Sequence, residues 1–159
     1  MNTDQLEAKT VEATKLVCAD LTDKVIGVFY DVYNQLGYGF LESVYQKSMA
    51  IALREKNLHV VSEEPILVSF RGQEVGHFFA DFVVERKLIL ELKAARTIEP
   101  AHEAQVLNYL RASTIEVGLL LNFGPRAQFR RFIFDNQRKI RVNPRSSWPL
   151  RTNENWIRF

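Results

Sequence analysis

The apolar positions change period about a third of the way along the chain. Residues 1 to about 18 read as a polar helix without a strong apolar stripe. Val25, Phe29, Val32 and Leu36 then recur at helical spacing and predict a second, better-packed helix, with Asp20 or Thr22 as its cap. Gly37-Tyr38-Gly39 breaks the chain, and a further helix is expected from about Phe40 to Lys56. Extended pattern follows. Leu58–Val61 and Ile66–Phe70 are predicted as strands separated by Ser62-Glu63-Glu64-Pro65. Arg71-Gly72-Gln73-Glu74 reads as a turn, and Val75–Glu85 with Leu88–Ala94 as a hairpin around Arg86-Lys87. Pro100 suits the first turn of a helix reaching Ala112. Strands over Ile115–Leu121 and Phe129–Phe134 complete the pattern, and a basic tail with Pro144, Trp148, Pro149 and Trp156 follows.

That order predicts an α/β (α+β) domain with a mixed central sheet flanked by helices. Three parts are expected: a helical extension over residues 1–18, the domain over 19–136 and a basic tail over 137–159. At 159 residues, 47% hydrophobic and 25% charged, the chain suits one soluble globular domain. No apolar run approaches the roughly 20 residues that span a membrane. The start, Met-Asn-Thr-Asp-Gln-Leu-Glu, lacks the basic and apolar regions of a signal peptide, so a cytoplasmic location is expected. A single cysteine, Cys18, excludes an intrachain disulfide and a cysteine-rich zinc site. The net charge of +2 conceals an asymmetry. Residues 1–123 carry 12 basic and 17 acidic side chains, whereas residues 124–159 carry 9 basic and 2 acidic. Clustered arginines suit a phosphate backbone, and equally a solvated edge.

The chemistry lies where charge interrupts apolar strands. Asp81 stands in Phe78-Phe79-Ala80-Asp81-Phe82-Val83-Val84, and Glu91 and Lys93 stand in Leu88-Ile89-Leu90-Glu91-Leu92-Lys93. Burying an unpartnered ion costs on the order of several kcal/mol. Strand alternation points Glu91 and Lys93 to one face. A hairpin turning near Arg86-Lys87 sets Asp81 roughly opposite Glu91, and two adjacent carboxylates repel unless a proton or cation separates them. Asp81, Glu91 and the Leu92 backbone carbonyl form a natural set for Mg²⁺, which favours one or two carboxylates together with phosphate oxygens. A cross-strand ion pair on a solvated sheet face is the plainer reading. Glu42 shares a helical face with Tyr45 and Met49 and so points inward, or else is a first-turn acid favoured by the helix dipole. Gln105 shares a face with His102 and Tyr109, and Val106, Leu107 and Leu110 form the buried face of the same helix. His59, His77 and His102 lack metal or triad spacing, and no phosphate loop, nucleophile elbow or dinucleotide fingerprint is present.

Gly39-Phe40-Leu41-Glu42-Ser43-Val44-Tyr45, followed by Ala80-Asp81-Phe82, Glu91-Leu92-Lys93 and Gln105…Tyr109, resembles the GxxExxY family, a branch of the PD-(D/E)XK nuclease superfamily. The likeness runs from about Leu21 to Asp135. One departure is Tyr38, where a proline is frequent between the glycines. The resemblance implies a restriction-endonuclease-like core in αβββαβ order, here with an extra N-terminal helix, and a Mg²⁺-dependent (or Mn²⁺-dependent) phosphodiesterase site. It makes Asp81 and Glu91 metal ligands, Lys93 the catalytic lysine, Glu42 a helical acid that helps hold metal or water, and Gln105 a supporting residue.

The expected function is therefore a metal-dependent nuclease acting on DNA ahead of RNA. The rival from another class is a catalytically silent nucleic-acid-binding or regulatory protein-interaction module on the same fold. Nucleic acid is the expected partner, with the basic C-terminal segment as a phosphate contact and a homodimer left open.

Overall fold

No proline interrupts the first 36 residues, and a computed structural model, which describes residues 3–136, shows one helix there instead of two. This helix, α1, spans Thr3–Leu36. Asp20 and Thr22, expected as caps, lie inside it. The Thr22 hydroxyl donates to the Cys18 carbonyl one turn back, which satisfies a buried polar group without breaking the helix. Val25, Val28, Phe29 and Val32 form its buried stripe. The helix stops at Gly37, whose φ of +68° is a left-handed conformation that glycine adopts without strain.

Helix α2 spans Glu42–Glu55 and buries Tyr45, Met49, Ala50 and Leu53. Strand β1 (Val60–Phe70) then runs unbroken through Ser62-Glu63-Glu64-Pro65, where an interruption was expected. Strand order explains the difference. The sheet runs β1-β2-β3-β4-β5, so β1 is an edge and Pro65 removes no hydrogen bond from a central ladder. Glu63, with φ +54°, accommodates the irregularity locally and drops out of the pairing with β2. Strand β2 (Gln73–Val84) returns through Arg71-Gly72, both at positive φ as a two-residue hairpin turn requires. Strand β3 (Leu88–Lys93) follows the short turn at Glu85-Arg86-Lys87.

Helix α3 (Pro100–Arg111) carries the chain over the sheet to β4 (Val117–Phe123), which pairs parallel to β3, and β5 (Ala127–Ile133) pairs antiparallel on the far edge. The crossover needs close packing: a Cβ on Gly118 of β4 would lie 2.7 Å from Val106 Cγ1 on α3. The domain has three layers. Helices α1 and α2 pack on one sheet face with Phe82, Val84, Leu88, Leu90, Leu92, Leu119 and Leu121. Helix α3 packs on the other with Ile66, Ala80, Val83, Ile89 and Leu120. The alternation of β3 thus serves two cores, while Glu91 and Lys93 share parity with Ile89 on the α3 side. This is the mixed sheet flanked by helices that the sequence predicts. Among the described residues, no helix is long and apolar enough to cross a membrane. The basic segment over 137–159 lies outside the described residues.

Candidate active site

Strands β2 and β3 are paired through Val84↔Leu88, Val83↔Ile89 and Phe82↔Leu90. One more step in that register would bring Asp81 opposite Glu91, but the ladder stops and the strands part. Asp81 closes the fork with its side chain. Its Oδ2 accepts a hydrogen bond from the Leu92 backbone N–H at 2.8 Å, a donor left over when the ladder ends. Its Oδ1 accepts from Gln46 Nε2 on α2 at 2.9 Å. In an antiparallel ladder the N–H and C=O of one residue point to the same neighbour. The Leu92 carbonyl therefore faces the fork as well.

Glu91 is only 3% exposed. Its Oε1 lies 3.4 Å from Lys93 Nζ, and its Oε2 is buried with no hydrogen-bond partner. Burial, and secondarily the charge of Asp81, push the Glu91 carboxyl up to about 7, against Lys93 and the Asp81 backbone N–H, which favour the charged form. The Asp81 carboxyl is also raised. Burial is the main cause and the Glu42 charge adds to it, while the Leu92 N–H, Lys93 and Gln46 pull the other way. A buried and a half-buried carboxylate thus face a single lysine, and one oxygen of Glu91 is left without a donor. That is a deficit of positive charge which a cation would fill.

Glu42 is half-buried and opens α2. The motif around it positions that opening. Gly37 and Gly39 take φ +68° and +108°. The hydroxyl of Tyr45, fully buried, donates to the Gly37 carbonyl at 2.8 Å and accepts from the Phe40 N–H at 3.3 Å. The Tyr45 ring stacks on Phe123 of β4 with centroids 4.3 Å apart. Glycines and tyrosine together lock the turn and fix where Glu42 starts its helix, close enough for its charge to raise the Asp81 pKa.

From the other layer, Gln105 donates through Nε2 to the Tyr109 hydroxyl at 2.9 Å. Tyr109 is nearly buried. Burial raises its pKa first, the Gln105 hydrogen bond opposes this, and the charges of Glu91 and Asp81 raise it further, so its hydroxyl lies within electrostatic reach of the carboxylates. Gln105 thus orients Tyr109 at the site's edge. His102 takes no part and instead completes a capping box with Glu99. Gln46 and Tyr109 are the residues that sequence reasoning did not assign to the site. A signal existed for Gln46, which follows Glu42 by one helical turn.

Among the described residues, no three His, Cys, Asp or Glu side chains converge as a metal cluster. Asp81 and Glu91 with the Leu92 carbonyl remain a suitable donor set for a hard cation that keeps waters in its shell. The unpartnered Glu91 Oε2 is the observation in favour of that fit.

The sequence matches the PD-(D/E)XK nuclease superfamily over residues 19–132, well over half of the chain. The chain belongs to the PD-(D/E)XK nuclease superfamily. PD-(D/E)XK nucleases generally use divalent metal ions, in keeping with the donor set above. No curated protein matches the chain. Similar solved structures include that of SSO0001 (18% identity, TM-score 0.48, covering 64% of this chain and 56% of that one). Another is the alkaline exonuclease LHK-Exo from Laribacter hongkongensis (11% identity, TM-score 0.42, covering 60% of this chain and 57% of that one). The chain thus spans a little over half the length of either structure.

Proposed function

We propose that this PD-(D/E)XK superfamily member is a divalent-metal-dependent nuclease of the GxxExxY branch, hydrolysing phosphodiester bonds in DNA ahead of RNA, in the cytoplasm. The observation that carries the reading is the fork between β2 and β3. It holds Asp81 by two hydrogen bonds and leaves Glu91 Oε2 unpartnered beside Lys93. Mg²⁺ or Mn²⁺ held by Asp81, Glu91 and the Leu92 carbonyl would acidify water and withdraw charge from a phosphoryl oxygen. The protein's own groups do the rest. Water attacks phosphorus and gives up a proton to solvent, one P–O ester bond breaks, and the leaving oxygen departs with the bond's electron pair and is protonated from solvent. Lys93, held over Glu91, orients the attacking water and offsets charge on the phosphoryl oxygens. Gln46 keeps Asp81 oriented, and Glu42 places a third carboxylate at the mouth of the site to hold water. Gln105 supports the opposite wall through Tyr109.

The test is a cleavage panel of single-stranded, duplex and structured DNA and RNA with Mg²⁺ and with Mn²⁺. Asp81→Ala serves as the contamination control, and Lys93→Ala should lose cleavage by about 10²-fold or more while still unfolding in one cooperative transition. Cutting by both variants at the wild-type rate would sink the assignment. Salt-sensitive binding without cleavage under any metal would instead favour a silent binding module.

A further inference from the structure

The parallel strands β3 and β4 end side by side, with Lys93 paired to Asn122, and three loops are joined at that end. Asn122 holds the β3–α3 loop through a double amide contact: its Oδ1 accepts from the Ala95 N–H and its Nδ2 donates to the Ala95 carbonyl, each at 2.9 Å. A Cβ on Gly124 would collide with that carbonyl, so the β4–β5 loop is pressed against the β3–α3 loop. Tyr33 donates to the Gly124 carbonyl at 2.8 Å, and Tyr45 bridges from Phe123 to the Gly37 carbonyl, which ties in the α1–α2 loop.

These loops display large side chains to solvent. Tyr38 is 63% exposed, Phe40 50% and Leu41 78%, immediately before Glu42. Arg96, next to Ala95 in the β3–α3 loop, and Arg126, two residues after Gly124, are exposed on the two loops joined to this one. Open aromatic rings and guanidinium groups carried on joined loops fit a strand with exposed base faces and a phosphate backbone. In the interior of a duplex the bases stack on one another and offer no face to such rings.

We infer that this set of loops is a substrate platform for a single-stranded nucleic-acid segment, with Tyr38 and Phe40 stacking on unpaired bases and Arg96 and Arg126 holding its phosphates. The inference rests on the nuclease reading and deepens it by naming the strand form delivered to the fork. Continuity argues for this occupant: the α1–α2 loop leads directly into Glu42, and the β3–α3 loop leads directly out of Lys93.

The test is fluorescence anisotropy of the full chain in EDTA, with labelled single-stranded DNA, single-stranded RNA and duplex DNA, for wild type, Tyr38→Ala, Tyr38→Phe and Arg96→Ala/Arg126→Ala. Tyr38→Ala should weaken single-strand binding about tenfold, with duplex binding unchanged and Tyr38→Phe restoring it. Arg96→Ala/Arg126→Ala should lower the salt slope by roughly 1 to 2, whereas Tyr38→Ala should leave the slope unchanged. Equal affinity of wild type and Tyr38→Ala for single strands overturns the platform, and cleavage in the companion Mg²⁺ assay would then leave the nuclease reading standing. Unchanged binding with a lowered melting temperature in Tyr38→Ala also overturns it, because the ring is then covered by the chain's own residues. Tyr38-dependent binding without cleavage in any metal supports the platform and counts against hydrolysis.

Discussion

Asp81 on β2 and Glu91 on β3 each lie one residue beyond the last rung of their ladder, yet their surroundings are opposites. Strand β2 leaves the ladder at Asp81, and the carboxylate there takes over work the backbone would have done by accepting from Leu92 N–H and from Gln46. Strand β3 continues at Glu91 into the parallel pairing with Leu120, and its carboxylate enters the α3 side of the sheet with one oxygen lacking a donor. Asp81 therefore ties β2 to β3 and α2, whereas burial of the Glu91 carboxylate costs the fold stability. A pair of acids that look alike in sequence is divided by where the ladder stops.

The largest effect expected from breaking this comparison is in catalysis. Asp81→Ala and Glu91→Gln should each reduce Mg²⁺-dependent cleavage by about 10³-fold or more, since each removes one of the two carboxylates proposed to hold the metal. Their stabilities should separate. Asp81→Ala strands the Leu92 N–H and the Gln46 amide and should cost about 1–3 kcal/mol in urea unfolding. Asp81→Asn retains an acceptor for Leu92 and should recover most of that loss without recovering activity. Glu91→Gln should stabilise the metal-free protein at neutral to alkaline pH. A Glu91→Gln protein less stable than wild type at about pH 8 would contradict the division drawn here.

The pH dependence sharpens the same contrast. The Glu91 carboxyl is raised from its ordinary value to about 7 in the folded chain. The unfolded chain therefore releases this proton first as pH rises. The stability that protonated Glu91 confers is complete below about pH 4.5, falls through the interval above it and is gone past about 7, a change on the order of 3 kcal/mol. The raised Asp81 carboxyl acts in the same direction. Metal-free wild type should thus lose stability across this window, and Glu91→Gln should show a flatter profile. Added Mg²⁺ should raise the melting temperature more at about pH 8 than at about pH 5.5, because a cation competes with the bound proton. A Mg²⁺ shift independent of pH would remove Glu91 from the donor set.

Much of this site was legible because alternation and a short hairpin are local rules. Side-chain parity put Glu91 and Lys93 on one face, and the turn near Arg86-Lys87 put Asp81 opposite Glu91. The point at which the ladder ends is a different kind of fact. It depends on how far β2 splays from β3 once β3 is held by β4, and no local pattern reports that. Gln46 stayed hidden for the same reason, since its partner lies on another layer. Strand β1 looked interrupted at Pro65 because edge position is known only from the order of the whole sheet. Asp20 and Thr22 looked like caps because a mid-helix threonine satisfied by the carbonyl one turn back has the same sequence signature as a helix start. The Tyr45 contacts to Gly37 and Phe40 give the Gly-x-x-Glu-x-x-Tyr spacing a physical meaning that its letters lack: the glycine makes the turn, the tyrosine locks it, and the glutamate is what they place.

The smallest effect expected is at Gln46, and it tests whether the hydrogen bonds of Asp81 serve the site or only the fold. The Gln46 amide favours the charged form of a carboxylate that burial and the Glu42 charge make reluctant to ionise. Gln46→Ala should raise the Asp81 pKa further, because the remaining Leu92 N–H must hold the charge without it. Cleavage should then need about 10-fold more Mg²⁺ for half-maximal rate, the usual size of an effect on a residue that orients a ligand. The rising limb of the pH–rate profile should move to higher pH, while the rate at saturating metal and high pH should approach wild type. Leu92 N–H still ties β2 to β3 in this variant, so the melting temperature should fall by less than in Asp81→Ala. An unchanged Mg²⁺ requirement and an unmoved pH limb would confine Gln46 to packing, and would leave the backbone donor of β3 as what keeps Asp81 ionised.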